Sequence, residues 1–209
     1  MALKSWYDRH VMPRMITMAC GQEGIEKRRR QVVPLAAGRV FELGCGGGLN
    51  QALYESDRIT SFSGIDPHDK LLDGARRRAR AKGWDFDIRQ GIGEDIPFAD
   101  GAFDTVVCTY TLCSVDDPAR VLAELRRILA PGGKLLFLEH GRAPDTPVAR
   151  WQDRVEPVWK HLAGGCHLTR PVGAALRGAG FSVEPLGQAY LKNTPKVLGW
   201  MEWGVARIG

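Results

Sequence analysis

From residue 39 onward, short apolar runs alternate with longer segments whose apolar residues recur at helical spacing. The runs are RVFEL (39–43), SFSGI (61–65), DFDIR (85–89), FDTVVCT (103–109) and GKLLFLE (133–139). Their length and their Val, Ile, Leu and Phe content predict strands. Between them, Val121, Leu122, Leu125, Ile128 and Leu129 step by the threes and fours of a helix face. Such alternation predicts βαβ units and a parallel sheet covered on both faces.

The punctuation agrees. Asp117 before Pro118 reads as an N-cap with proline at the first helical position. APGG (130–133) predicts a stop and a tight turn before the next strand. In LTRP (168–171), Thr169 is a second expected N-cap, and AGF (179–181) closes that helix on glycine and opens a strand. WGVARI (203–208) is the last strand-like piece.

Two segments stand outside the alternation. Residues 1–38 read as two amphipathic helices capping the first strand. Residues 142–168 form an insertion in which Val148, Trp151, Val155, Trp159 and Leu162 make one apolar face, with Pro157 expected to kink or split it. With no internal repeat, residues 1–209 are expected to form one domain.

Charge changes this picture little. The net charge is +5 at pH 7, concentrated in KRRR (27–30) and RRRAR (76–80). Both runs fall in helical segments and are expected to be solvated faces. No apolar run reaches the roughly 18 residues that span a bilayer, and no signal-peptide core opens the chain. Five scattered cysteines without a CxxC pair argue against a disulfide framework or a zinc site. The expectation is a cytoplasmic protein without a metal.

The candidate chemistry begins at ELGCGGGLN (42–50). A dinucleotide fingerprint needs glycine at the first, third and sixth places, which here are Gly44, Gly46 and Leu49, so the sixth fails. No Gly-Lys-Ser/Thr follows, which excludes a phosphate loop. Glu42 beside the turn would repel a pyrophosphate but pair with an ammonium group. Asp66 lies 22 positions after Gly44, at the end of the second strand, where an acid accepts hydrogen bonds from ribose hydroxyls. An ammonium together with an unphosphorylated ribose describes S-adenosylmethionine.

VFELGCGGG, GIDPHDKLLDGAR, GIGEDIPFADGAFDTVVC, LAELRRILAPGGKLLFLEHG and LRGAGF occur in the order found in class I S-adenosylmethionine-dependent methyltransferases, which residues 38–185 resemble. The resemblance implies a Rossmann-like α/β fold. Its seven-stranded sheet has the order 3-2-1-4-5-7-6, strand 7 antiparallel and helices on both faces. It also implies that the backbone of Gly44, Cys45, Gly46 and Gly48 approaches the methionine part of the cofactor and that Asp66 holds the ribose. Pro67 and His68 would border the adenine, Gly93 and Glu94 would contact its edge, and Thr109 and Tyr110 would face the sulfonium. Many relatives carry Asp where this chain has Ile92, so that contact to the adenine amino group falls to Gly93 or Glu94.

The acceptor is read from other residues. TYTL (109–112) stands where enzymes that methylate exocyclic base amines carry Asp/Asn-Pro-Pro-Phe/Tyr, so no nucleic acid is expected. VVCTYTLCSV (106–115), FLEHG (137–141) and VEPVWKHLAGGCHLTR (155–170) resemble animal methyltransferase-like proteins acting on alkyl thiols. Bacterial relatives of that layout are phospholipid or quinone methyltransferases. The resemblance implies a small lipophilic acceptor, with S-methylation first. N-methylation of a phospholipid head group or C- or O-methylation of a quinone is the alternative, with peripheral contact at a membrane surface. A cofactor-binding module without catalysis is the remote reading. His167 and His140 are the candidate bases, each equally readable as a structural hydrogen-bonding histidine. Tyr7 and His10 are candidates for closing over the cofactor, and Cys166 reads as structural.

Overall fold

The computed structural model describes residues 23–209. The expected helices before residue 23, with Tyr7 and His10, lie outside the described residues. Helix α1 (Glu23–Val32) and a 3-10 turn (Val33–Leu35) lead into β1 (Gly38–Leu43). β2 (Ile59–Asp66), α2 (Asp69–Ala81), β3 (Phe86–Gln90), β4 (Phe103–Thr109) and α3 (Pro118–Ile128) follow. The chain then runs through β5 (Leu129–His140), α4 (Thr146–Leu162), α5 (Val172–Gly178), β6 (Phe181–Tyr190) and β7 (Trp200–Ile208). The strands form one sheet in the expected order 3-2-1-4-5-7-6, with β7 antiparallel to both neighbours.

The period of two along each strand sends successive side chains to opposite faces. Val40, Val107, Leu136 and Leu138 join the core under α1 and α2. Phe41, Val106, Leu135 and Phe137 join the one under α3 and α5. Near-continuous apolar runs therefore stock two cores at once, as a parallel sheet requires. The strand order reverses between β1 and β4, and a crevice opens there beyond the carboxyl ends of the strands.

Several local expectations are corrected. The Asp117 carboxylate does cap α3, accepting from the Ala119 and Arg120 amides at 3.1 Å each. Thr169 caps nothing: α5 starts after Pro171, and the Glu202 carboxylate accepts from Gly173 N at 3.0 Å. The Arg170 carbonyl is tied to Arg142 N at 2.9 Å, which holds the chain extended past the expected cap. APGG is a bulge within β5, not a turn before it. Leu129 pairs with Phe103 and Lys134 with Thr105, and Gly132 takes φ +77°.

Pro157 does not split α4, which runs unbroken from Thr146 to Leu162. The carbonyl that proline deprives of a partner belongs to Asp153, which is exposed and can be hydrated. The buried face of α4 is Ala149 and Gln152. Gln152 accepts from Ala143 N at 2.9 Å and donates to the Gly141 carbonyl at 3.1 Å, while Trp151 and Leu162 are exposed. Backbone satisfaction, invisible to a hydropathy pattern, rotates the helix away from its expected apolar face.

The basic runs are only partly solvated. Arg29 is buried with its guanidinium 5.5 Å from the centre of the Tyr110 ring, and Arg78 donates to the Gly47 carbonyl at 2.6 Å. No helix among the described residues is long and apolar enough to cross a membrane.

Leu125 is fully buried on the α3 face. Leu125→Ala is expected to cost about 2–5 kcal/mol, and Asp117→Ala about 1 kcal/mol. Urea unfolding followed by circular dichroism reads both.

Candidate functional site

The glycine turn leaves β1 pinned to the end of β2: Gly44 N and Cys45 N both donate to the Ile65 carbonyl, at 2.9 and 3.1 Å. Gly44 has φ +69°, and a Cβ there would lie 2.2 Å from Thr111 Oγ1. Gly48 has φ +81° and presses on α2, where a Cβ would meet Ala75 Cα at 3.1 Å. Gly47 has open space around it, so the E-x-G-x-G-x-G spacing and not the glycine count carries the constraint. Cys45 turns its thiol under the turn toward Gly64, leaving its backbone along the cleft.

Glu42 is buried at the head of this turn. Its carboxylate accepts from Tyr54 Oη at 2.8 Å and from Asn50 Nδ2 at 2.9 Å, and Asn50 Nδ2 also reaches Thr109 Oγ1 at 3.0 Å. Burial dominates these bonds and lifts the Glu42 pKa to about 7. Asn50 Oδ1 is buried without a hydrogen-bond partner, an acceptor beside a carboxylate. Asp66, at the end of β2, accepts from Gly46 N at 3.0 Å and from His68 N at 2.8 Å. A carboxylate offers about four lone pairs, so both acids retain accepting capacity.

The remaining expected contacts are unequal. Pro67, His68, Gly93, Glu94, Thr109 and Tyr110 all line the same cleft as Glu42 and Asp66. Glu94 spends one oxygen on the Asp116 and Asp117 amides, at 3.0 and 3.1 Å, and so braces the start of α3. Tyr110 adopts φ +57°, turning the chain sharply at the end of β4, and its hydroxyl contacts Met201 Sδ at 3.5 Å. A left-handed tyrosine is uncommon, and such conformations persist where surrounding bonds over-determine them.

Those bonds come from Glu139, which the sequence reading passed over. It is fully buried, and its carboxylate accepts from Thr111 N, Leu112 N and Cys113 N at 3.0, 3.2 and 3.2 Å. Burial raises its pKa to about 7 against the pull of these amides. An acid inside the apolar run LLFLEH was its one signal in the sequence, since such an acid needs donors from elsewhere.

The two histidines part company. His140, buried at the end of β5, lines the cleft, with Nε2 2.7 Å from the Leu198 carbonyl and Nδ1 3.5 Å from Cys166 Sγ. Burial pulls its pKa down, but Cys166 and the Leu198 carbonyl outweigh it and the net shift is upward. His167 lies outside the cleft lining, with Nδ1 2.5 Å from Glu156 Oε1 and its amide on the Cys113 carbonyl at 2.7 Å. Of the two expected bases, the structure brings His140 to the cleft and leaves His167 outside its lining. The sequence placed both at the carboxyl edge, but only the packing of α4 decides which ring faces inward.

The cleft has a volume of about 700 Å³, within the range of cofactor sites. One end offers Glu42, the unpartnered Asn50 oxygen and the bare glycine backbone, suited to an α-amino acid. Asp66 suits a ribose, and Ile65, Leu71 and Ile92 offer apolar walls for a ring. These groups fit S-adenosylmethionine. Among the described residues no three His, Cys, Asp or Glu side chains are placed to hold a metal ion.

Comparison with known proteins agrees with this geometry. A family profile described as a methyltransferase domain matches residues 41–137. A Homo sapiens protein named thiol S-methyltransferase TMT1B is 38% identical over 179 residues, covering 83% of this chain and 71% of that one. A Cereibacter sphaeroides phosphatidylethanolamine N-methyltransferase is 33% identical over 133 residues, 62% of this chain and 64% of that one. Among solved structures, Bacillus subtilis YcgJ superposes with a TM-score of 0.66 at 18% identity, covering 88% of this chain and 94% of that one. The trans-methyltransferase CalH, in complex with SAH, gives 0.66 at 19% identity over 100% of this chain and 62% of that one. At these identities the two structures speak for the fold.

Gly44→Ala forces a Cβ into a left-handed residue and against Thr111. It is expected to cost at least about 1–2 kcal/mol. The double variant Gly44→Ala/Thr111→Ala should recover only the steric part, because the backbone strain remains; thermal unfolding of both variants checks this.

Proposed function

The chain belongs to the S-adenosylmethionine-dependent methyltransferases, and from that premise we propose that it methylates the sulfur of a small lipophilic thiol. The observation that carries the acceptor is the 36–38% identity over four-fifths of the chain to proteins named thiol S-methyltransferases. S-adenosylmethionine, when bound, supplies a methyl group on an electron-poor sulfur. Everything else falls to side chains that bind, orient and move one proton.

In this reading Glu42 and Asn50 Oδ1 hold the ammonium, Asp66 the ribose hydroxyls, and Thr109 and Tyr110 flank the reacting end. Glu139 is a positioning residue: it fixes the 111–113 backbone and through it the left-handed Tyr110. His140 is the base. With Nε2–H donating to the Leu198 carbonyl, Nδ1 is left to accept a proton at the inner wall of the cleft. A thiol of ordinary pKa about 8.5 is only a few per cent ionised at neutral pH, so a neighbouring acceptor raises the nucleophilic fraction.

A second reading has one observation behind it. On α4, Trp151, Val158 and Leu162 are 56%, 63% and 58% exposed at steps of seven and four, and Leu162 also lines the cleft. An apolar stripe running to the mouth suits delivery of a lipophilic acceptor from a lipid surface, phospholipid or quinone included. Sedimentation with anionic vesicles should be weakened by Trp151→Ser/Leu162→Ser.

Purified chain with methyl-labelled S-adenosylmethionine should label simple alkyl thiols. His140→Ala should lower kcat by about 10²-fold or more while cofactor affinity changes little. Turnover on phospholipid or quinone acceptors with none on a broad thiol panel would reject the thiol reading.

The Glu42 pKa of about 7 sets a pH dependence. Below it the carboxyl is neutral and pairs poorly with an ammonium, so affinity should rise with pH toward 7 and level off above. The slope should approach about tenfold per unit for one linked proton. Calorimetric titration with S-adenosylhomocysteine measures it, and Glu42→Gln should flatten the profile and weaken binding at pH 8.

A further inference from the structure

One cluster in the cleft is left unused by this chemistry. Cys113, on the loop after β4, and Cys166, after α4, come from segments 53 positions apart and line the cleft together with His140. The two segments are laced by main-chain bonds. His167 N donates to the Cys113 carbonyl at 2.7 Å, and Arg170 Nη1 donates to the Leu112 carbonyl at 2.6 Å. Glu139 fixes the Cys113 amide from below. Both thiols are free. Cys166 Sγ sits 3.5 Å from His140 Nδ1, and Cys113 Sγ sits 3.5 Å from Ser114 Oγ. Two thiols on segments bonded to each other, one beside an imidazole and both lining a ligand cleft, make a candidate dithiol, whereas a lone buried cysteine packs as a small hydrophobe.

We propose that Cys113 and Cys166 form a thiol–disulfide exchange site that takes small disulfides, with Cys166 attacking and Cys113 resolving. The roles follow from asymmetry. Cys166 is part exposed, with His140 Nδ1 3.5 Å from its sulfur, while Cys113 is buried. Cys113 and His140 draw the Cys166 thiol pKa down against burial, and Cys166 and burial push that of Cys113 up. The attacking sulfur is thus the more accessible and the more readily ionised of the two.

The exchange balances without another reagent. The Cys166 thiolate attacks one sulfur of RS–SR, so the Cys166–SR bond forms, the RS–SR bond breaks, and RS⁻ leaves and takes a proton from solvent water. Cys113 then gives up its proton and attacks Cys166 Sγ, expelling the second RS⁻, which takes up that proton. The substrate disulfide is reduced to two thiols by two electrons, and the protein dithiol is oxidised to a Cys113–Cys166 disulfide. A thiol released in this way is of the acceptor class proposed above. The exchange itself does not depend on that reading and is read by mass alone.

The test treats the full chain with glutathione disulfide at pH 5, traps free thiols by alkylation after acid quench, and maps the peptides. At pH 5 an ordinary thiol is ionised to only about 0.03%, so background exchange is slow. The expected result is a peptide linking Cys113 to Cys166, formed at least about tenfold faster than any modification of Cys166 in the urea-unfolded chain. Cys113→Ser should instead accumulate a glutathione adduct on Cys166, and Cys166→Ser should give neither adduct nor link at Cys113. Native Cys166 reacting no faster than the unfolded one, or an adduct on Cys113 in Cys166→Ser, would overturn the proposal. A chain that methylates alkyl thiols yet forms no link loses this inference alone, and one that forms the link without methylating thiols loses only the acceptor reading.

Discussion

The arrangement of the cleft depends on a carboxylate that accepts three successive main-chain amides. Glu139, next to last in β5, captures Thr111, Leu112 and Cys113 as the chain leaves the central strand β4. Unpaired amides in a buried loop would each cost about 1–3 kcal/mol, and one acid answers all three. With the loop fixed, Thr111 seats its hydroxyl on the Leu43 carbonyl against Gly44, and Cys113 meets the segment after α4. The glycine turn, the left-handed tyrosine and the acceptor wall are thereby built on one anchor.

Two buried acids on the strands either side of β4 are a liability for folding, because burial disfavours their charged forms. Glu42 and Glu139 meet that cost differently. Glu139 draws on backbone amides and is complete within the protein. Glu42 draws on Tyr54 and Asn50, feels the charge of Arg29, and keeps an orphan amide oxygen beside it at the wall of the cleft. The difference separates an acid that supports a loop from one that is open to the cleft.

Much of this was legible in the chain. The alternation of runs predicted the sheet, since a strand buried on both faces must be apolar throughout. The glycine turn between Glu42 and Asp66 was legible because its conformation is set within some 25 residues of sequence, although Gly48 lies outside the cleft lining. The placement of His140 and His167 was not. Both occur near a predicted edge, and the hydrogen bond of His167 to Glu156 on α4 turns one outward. The apolar face expected on α4 failed for a related reason: Gln152 was needed to satisfy the backbone at Gly141 and Ala143.

By itself, then, the sequence determined the βαβ alternation, the cap at Asp117, the glycine turn and the chemistry of the methyl donor. Each of these follows from local conformation or from charges on adjacent strand ends. Only the tertiary structure decided that Glu139 clamps the loop, that His140 faces the cleft and that Cys113 and Cys166, 53 positions apart, line it together. Those facts depend on which long-range segment lands on which edge, and packing between distant elements leaves no periodicity in the chain to read.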